Sequence, residues 1–326
     1  MRNPFVRFVI VILVIIGLVS VAKWAGNHFG NKDENSVVSG NSILQLDLEG
    51  VIMNGKKFLK KIKKYKDDDR IKAIVININS PGGAVGPSQE IYAAIKALRA
   101  ETKKPVICSS SGLMASGAYY SAVGCDKIVV SAGSLVGSIG VIMEFANLEK
   151  LYEFAKVTRY SITTGKFKDS GAEYRAMRPD ERALFQDLIN DVYGQFVQAV
   201  ADGRHLTVDF VKQYADGRVM TGAQAVKLGF ADQEGSFEDA VKLAAETAKL
   251  GNDYKLFEAP QKRPSIWDYI QGDDEDDDLN SVSRVNGLAK LFSKAGLDPA
   301  VETALRKVFR AESLNRPMMI LPGFWE

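Results

Sequence analysis

The first pattern along the chain is a run without polarity. Residues 8–22 (FVIVILVIIGLVSVA) carry no charge, Arg2 and Arg7 precede them, and Lys23 and Trp24 close the run. With the residues just before it and Trp24 counted, the apolar span approaches the ~20 residues that cross a bilayer. Leading arginines suit the cytoplasmic side and Trp24 the far interface. The pattern predicts one uncleaved membrane-spanning anchor over residues 1–25, although "SVA" before Lys23 also fits a signal-peptide cleavage site. In both cases the bulk of the chain is expected outside the cytoplasm. Residues 26–41 are polar and glycine-rich and read as a linker.

From residue 42 the pattern changes to short apolar runs alternating with amphipathic ones. "ILQLDLEGVI", "IKAIVININS", "KPVICSS", "DKIVVS" and "GSIGVIM" have the alternation or β-branching of strands. "PSQEIYAAIKALRAE" places Ile91, Ile95 and Leu98 on one helical face, and "SGAYYSAVG" reads as a short helix. "TRYSITTGKFKD" (residues 158–169) predicts a strand leading into a loop. A long helix starts at Pro179, a favourable first residue. Its stripe of Leu184, Leu188, Val192, Phe196 and Val200 is wide enough to meet a sheet or a neighbouring subunit. Shorter helices are expected at "TVDFVKQYA", "TGAQAVKLG" and "SFEDAVKLAAETAK". Strands alternating with helices argue an α/β domain over residues 42–258.

Residues 259–326 form an extension of different character. The acidic run Asp273–Asp278 reads as a solvated segment. "VSRVNGLAKLFSKAG" and "PAVETALRKVFRAESL" have the spacing of two amphipathic helices. The last residues, "RPMMILPGFWE", are too apolar for water and should cover a sheet edge, a groove or the membrane surface.

Charge and composition narrow the chemistry. A net charge of +2 with mixed signs gives no nucleic-acid footprint. The two cysteines, Cys108 and Cys125, lack zinc-site spacing, and their apolar surroundings predict two buried thiols rather than a disulfide. No metal or cofactor is expected. The two histidines, His28 and His205, fall in a linker and a polar turn, so a serine–histidine–acid triad has no obvious centre. G-x-S-x-G is absent, and "PGGAVG" is neither a Walker loop nor a dinucleotide fingerprint.

What "NSPGGAVG" offers is bare backbone: amide N–H groups after a strand can stabilise an oxyanion. In "MASGAYY", Ser116 could be a nucleophile with the Gly117 N–H beside it, or an ordinary N-cap. A lysine can replace histidine as base if desolvation or a nearby positive charge lowers its pKa from about 10.4 by several units. Lys166 and Lys168 in "TTGKFKD" are both candidates, and spacing does not choose between them.

These stretches together resemble a known family. "NSPGG", "ASGAYYSAVGCDKIV", "GSIGVI", "GKFKD" and "DGRVMTGAQAVKLGFAD" occur in the order seen in the signal peptide peptidase A family, over roughly residues 42–250. The family comprises membrane-anchored serine peptidases related to the Clp protease subunit and the crotonase fold, and the single unit is similar to its short form. The resemblance implies a ββα superhelix with Ser116 as nucleophile and Lys168, not Lys166, as general base. It also implies an oxyanion hole from Gly83 and Gly117, with Gly82 shaping the turn, and Ser138 orienting the lysine. Val136 departs from the threonine common in relatives. The implied substrates are hydrophobic peptides, in particular cleaved signal peptides. The implied assembly is a homo-oligomeric ring with serine and lysine contributed by neighbouring protomers. The implied location is the inner membrane, single-pass, with the catalytic domain on the periplasmic side. The competing reading is a catalytically silent ring that binds peptides or scaffolds membrane partners.

Overall fold

The computed structural model describes Val38, residues 40–259 and Met318–Ile320. The expected anchor (residues 1–25), nearly all of the linker, the acidic run and the two amphipathic segments after it lie outside the described residues. Among the described residues no helix is long and apolar enough to cross a membrane.

The elements follow in chain order as β1 (Ser42–Glu49), α1 (Lys56–Tyr65), β2 (Ile71–Asn79), β3 (Gly82–Ala84), α2 (Val85–Thr102), β4 (Val106–Ser110), β5 (Leu113–Ala115), α3 (Gly117–Ala122), β6 (Lys127–Val130) and β7 (Leu135–Gly137). After these come α4 (Glu149–Phe154), α5 (Pro179–Arg204), α6 (Val208–Lys212), β8 (Val219–Thr221), α7 (Gly222–Leu228), β9 (Gln233–Glu234), α8 (Phe237–Thr247), β10 (Lys255–Glu258) and β11 (Met318–Ile320). Helix α1 is not among the expected elements. Six of its ten residues are lysine, yet Phe58, Ile62 and Tyr65 still line one buried face.

Six strands form one sheet in the order β10–β1–β2–β4–β6–β9, every pair parallel. Parallel sheets need cover on both faces, and alternation along the strands supplies it. Ile43, Val75, Ile107 and Val129 face Ala240, Val241 and Ala244 of α8. Leu44, Ile74, Ile76 and Ile128 face the opposite way, into the main core with Ile91, Ile95, Tyr119 and Phe196. The architecture is mixed α/β around a parallel sheet, consistent with the Clp-protease-like class expected. A second sheet, β5–β7–β8, stands at the end of the first, joined to it by a bridge between Ser80 and Met114.

Three expectations are corrected. Cys108 and Cys125 are joined as a disulfide, not free: β4 turns Cys108 toward the helix layer, and α3 brings Cys125 back to it at a Cα–Cα separation of 6.0 Å. Residues 158–164 form no strand; they are exposed coil, and no strand among the described residues pairs with them. In "GSIGVIM" the strand is shifted, since β7 ends at Gly137 and Ile142 makes only a single bridge.

The arm between β7 and α5 is tied down by charge. Glu181, wholly buried in the first turn of α5, takes both guanidinium nitrogens of Arg175 at 2.5 and 2.9 Å. It also accepts the Arg178 backbone N–H at 2.9 Å. Arg175 reaches Asp169 at 3.0 Å, and Lys166 pairs with Asp180 at 2.8 Å. The residues on either side of Lys168 are therefore pinned to the start of α5. The hydrogen-bonded Arg175 guanidinium holds the Glu181 carboxyl down to about 2.

Two outcomes follow. Replacing both Cys108 and Cys125 by Ser should cost about 3 kcal/mol, as expected for a loop of this length, read as a lower urea midpoint. A midpoint unchanged by the double substitution, and in wild type by reductant, would contradict the bond. Because the Glu181 pKa is depressed on folding, its contribution is present above the ordinary carboxylate range and is lost as pH falls toward about 2. Glu181→Gln should therefore destabilise the arm by about 3 kcal/mol at neutral pH. The gap from wild type should close on acidification, measured as protease sensitivity of residues 165–178.

Candidate active site

Ser116 sits where β5 passes into α3, in a backbone conformation of φ 54°, ψ −120°. L-residues other than glycine rarely adopt it, and it persists only where the surroundings enforce it. The enforcement is visible. The Ser116 N–H donates to the Gly137 carbonyl at 2.7 Å, and the Tyr120 N–H donates to the Ser116 carbonyl at 2.8 Å. Its side chain makes no capping hydrogen bond. A capping serine has extended backbone and a hydroxyl bonded to the helix, so Ser116 is not an ordinary N-cap. Helix α3 behind it is wholly buried. The Tyr119 hydroxyl donates to the Phe230 carbonyl at 2.7 Å, and burial raises that phenol above its ordinary value, keeping it a donor.

The Gly82–Gly83 backbone arrives from β2. The Ser80 hydroxyl accepts the Gly82 N–H at 3.1 Å, while the Ala115 N–H donates to the Ser80 carbonyl at 3.2 Å. One serine thus ties this turn to the strand that carries Ser116. Gly82 has φ +92°, and a Cβ there would lie 2.5 Å from the Gly117 nitrogen. A Cβ on Gly117 would collide with the Ser88 hydroxyl and lie 3.2 Å from the Gly83 nitrogen. The two amides expected to form an oxyanion hole are therefore neighbours across a gap that admits no side chain.

Alternation fixes which way Gly83 faces. The Ile52 N–H donates to the Gly82 carbonyl at 2.8 Å, and the Ala84 N–H donates to the Ile52 carbonyl at 2.7 Å. Those bonds use one edge of β3, so the Gly83 N–H and C=O point to the other. Ser138 (φ 51°, buried) follows directly on Gly137, whose carbonyl holds Ser116. It opens onto a cleft of about 350 Å³ lined also by Ile142, Tyr193, Asp216 and Ile320.

Of the residues singled out from sequence, Ser116, Gly83, Gly117 and Ser138 lie together. Lys168 does not join them within one chain. It is exposed on the arm, and no hydrogen bond connects it with Ser116. His205 is also exposed, at the C-terminal end of α5. Ser80 and Ser88 were not singled out. Ser88 lies against Gly117 with its hydroxyl bonded to the Ala84 carbonyl at 2.9 Å. A serine inside an otherwise helical stretch is a weak signal, because its function here is only to fit. Among the described residues no cluster of His, Cys, Asp or Glu could hold a metal ion.

Known proteins bear directly on this geometry. The family model described as Peptidase family S49 matches residues 98–251, and that described as Clp protease matches residues 51–129. A protein provisionally described as a protease in Synechocystis sp. is 42% identical over 212 residues, covering 65% of this chain and 76% of its own. One provisionally described as signal peptide peptidase SppA in Enterococcus faecium is 32% identical over 240 residues, covering 70% of each. The chloroplastic serine protease SPPA of Arabidopsis thaliana is 34% identical over 251 residues, of which this chain spans 37% of the length. With relatives at this identity over most of the folded region, and a strained, buried serine beside paired glycine amides, the chain belongs to peptidase family S49 and is a serine peptidase.

Proposed function

We propose that the protein is a membrane-anchored endopeptidase that cleaves hydrophobic peptides, in particular signal peptides left in the membrane, with Ser116 as nucleophile and Lys168 as general base. The observation that carries this is the Ser116 turn: a hydroxyl released from capping, with the Gly117 and Gly83 amides converging beside it. In the proposed reaction the Lys168 amine takes the Ser116 proton as Oγ attacks the scissile carbonyl, and the two amides stabilise the oxyanion. The ammonium then protonates the leaving amine. Afterwards the amine accepts a proton from water, which displaces the acyl group and regenerates Ser116. Ser138 orients the lysine.

A lysine accepts a proton only as the free amine, a form favoured when it is taken out of water. An exposed Lys168 on one chain fits a site completed by a second copy. The arm carries a large apolar surface for that contact. Ile162 is 94% exposed, Phe154 86% and Tyr160 77%, and Leu184 and Leu188 of α5 are exposed as well. Patches of this kind mark interfaces, which supports a homo-oligomeric ring with each site shared between protomers. The disulfide fits an oxidising compartment. It supports a periplasmic domain held to the inner membrane by the apolar run at residues 8–22, and a catalytic unit of the ββα superhelix kind over residues 42–258.

Ser116→Ala and Lys168→Ala should each lower kcat/KM on a hydrophobic peptide by about a thousandfold or more, while His205→Ala stays within about twofold of wild type. Full turnover by either dyad variant would refute the assignment. Coassembly of the two inactive variants separates shared from single-chain sites. Random mixing of shared sites restores about a quarter of the activity, since some sites draw both intact residues. Sites built within one chain stay silent.

A further inference from the structure

Helix α1 contains lysines and no acid, and its charge is sorted by position. Phe58, Ile62 and Tyr65, spaced i, i+4 and i+7, form its buried face. Lys57, Lys60, Lys61 and Lys64, spaced i, i+3, i+4 and i+7, form a second face turned away from the first, and Lys56 and Lys63 widen it. Lys61 is half-buried and the other five are exposed. Such a helix is not arranged for its own stability. Lysines four apart, as Lys56 and Lys60 or Lys60 and Lys64, repel one another. Lys56 and Lys57 stand in the first turn, at the positive end of the helix dipole.

The helix is held from its inner side and from its end. The Tyr65 ring meets Phe257 of β10 edge-on, with centroids 5.3 Å apart. The Lys104 ammonium donates to the carbonyls of Lys66 and Asp68 at 2.7 and 2.9 Å. Acids beyond the helix are engaged nearby: Glu101 pairs with Lys66 at 2.6 Å, and Asp68 with Arg70 at 2.7 Å. The lysine face is thus a fixed feature of the domain. It also lies close along the chain to the active centre. Helix α1 starts within ~14 Å of extended chain from Ile52, whose carbonyl and N–H hold Ala84 and Gly82 on the outer edge of β3. Past the other end of α1, the Arg70 guanidinium donates to the carbonyl of Val38 at 3.1 Å, and Val38 follows the apolar run of residues 8–22 in sequence.

We propose that the lysine face of α1 rests on anionic phospholipid headgroups, and so fixes how the catalytic domain lies on the bilayer, with the β3 edge near the surface in which hydrophobic peptides lie. The proposal rests on the membrane-anchored reading above. Clustered lysines are drawn to an anionic leaflet, and the attraction fades within a Debye length. The apolar residues of α1 are spent on the core, so this contact is made by charge without insertion, and salt should release it.

The test places the full chain in lipid nanodiscs of phosphatidylcholine alone or of phosphatidylcholine mixed with phosphatidylglycerol. A water-soluble acetylating reagent then reports the accessibility of Lys61, Lys63 and Lys64 by mass spectrometry, with the exposed Lys242 of α8 as reference. The anionic discs should slow acetylation of the α1 lysines at least about threefold relative to Lys242, and added salt should remove the difference. Lys61→Gln, Lys63→Gln and Lys64→Gln together should raise KM about fivefold for a hydrophobic peptide embedded in anionic discs. They should leave turnover of a soluble peptide unchanged, and arginine at the same three positions should keep the low KM. Equal acetylation in the two kinds of disc would overturn the proposal. Lysines slow to react in both, and released when the acidic run Asp273–Asp278 is replaced by the corresponding amides, would assign the face to the chain's own acidic segment and overturn it as well. A chain that enters neither disc overturns the membrane-anchored reading and the docking face together, whereas a chain that enters both with equal acetylation overturns the docking face alone.

Discussion

The structure turns on a meeting of backbones where no side chain fits. The turn at Gly82, the amide of Gly83 and the start of α3 at Gly117 approach so closely that a Cβ on any of them would overlap its neighbours. Everything near this point serves that approach. Ser80 bonds the turn to β5, Ile52 occupies the outer edge of β3, and Gly137 grips the Ser116 amide. The buried Tyr119 and Tyr120 hold α3 from behind, the one bonded to Phe230 and the other packed on Phe196. The strain at Ser116 is maintained because three independent elements determine its position.

That centre is built within one chain, and Lys168, the proposed base, lies apart from it on an exposed arm. The contrast in burial is physical and not incidental. Ser116 lies in the core at 1% exposure, whereas Lys168 rides on an exposed arm held to the start of α5 by ion pairs and by the Phe145–Phe185 ring contact. Ion pairs around a buried Glu181 hold a loop in one shape without sequestering it from solvent. The arm presents Lys168 and a row of exposed apolar residues together, an arrangement suited to a contact between copies.

The tail adds a second economy of backbone. The edge of β3 that carries the Gly83 N–H and C=O is left over by Ile52, and a strand edge left over attracts strands. A nearby apolar segment of the chain satisfies it. Main-chain groups on such an edge pair with an extended segment, here β11 of the same chain.

Sequence by itself determined the alternation of buried strands and amphipathic helices, the long helix from Pro179, and the glycine and serine stretches from which the site is made. Those are local properties, set by periodicity and by which residues tolerate a given backbone. It left Ser116 open between cap and nucleophile, since both need the same position; the φ, ψ and the absent capping bond set aside the ordinary cap. It favoured free thiols because spacing does not reveal that β4 and α3 bring Cys108 and Cys125 together. It left the seat of "MMI" open among a sheet edge, a groove and a membrane, and tertiary structure chose the edge of β3. In each case the deciding contact joins residues distant in the chain, and pairing at a distance depends on how the elements pack, not on the pattern within any one of them.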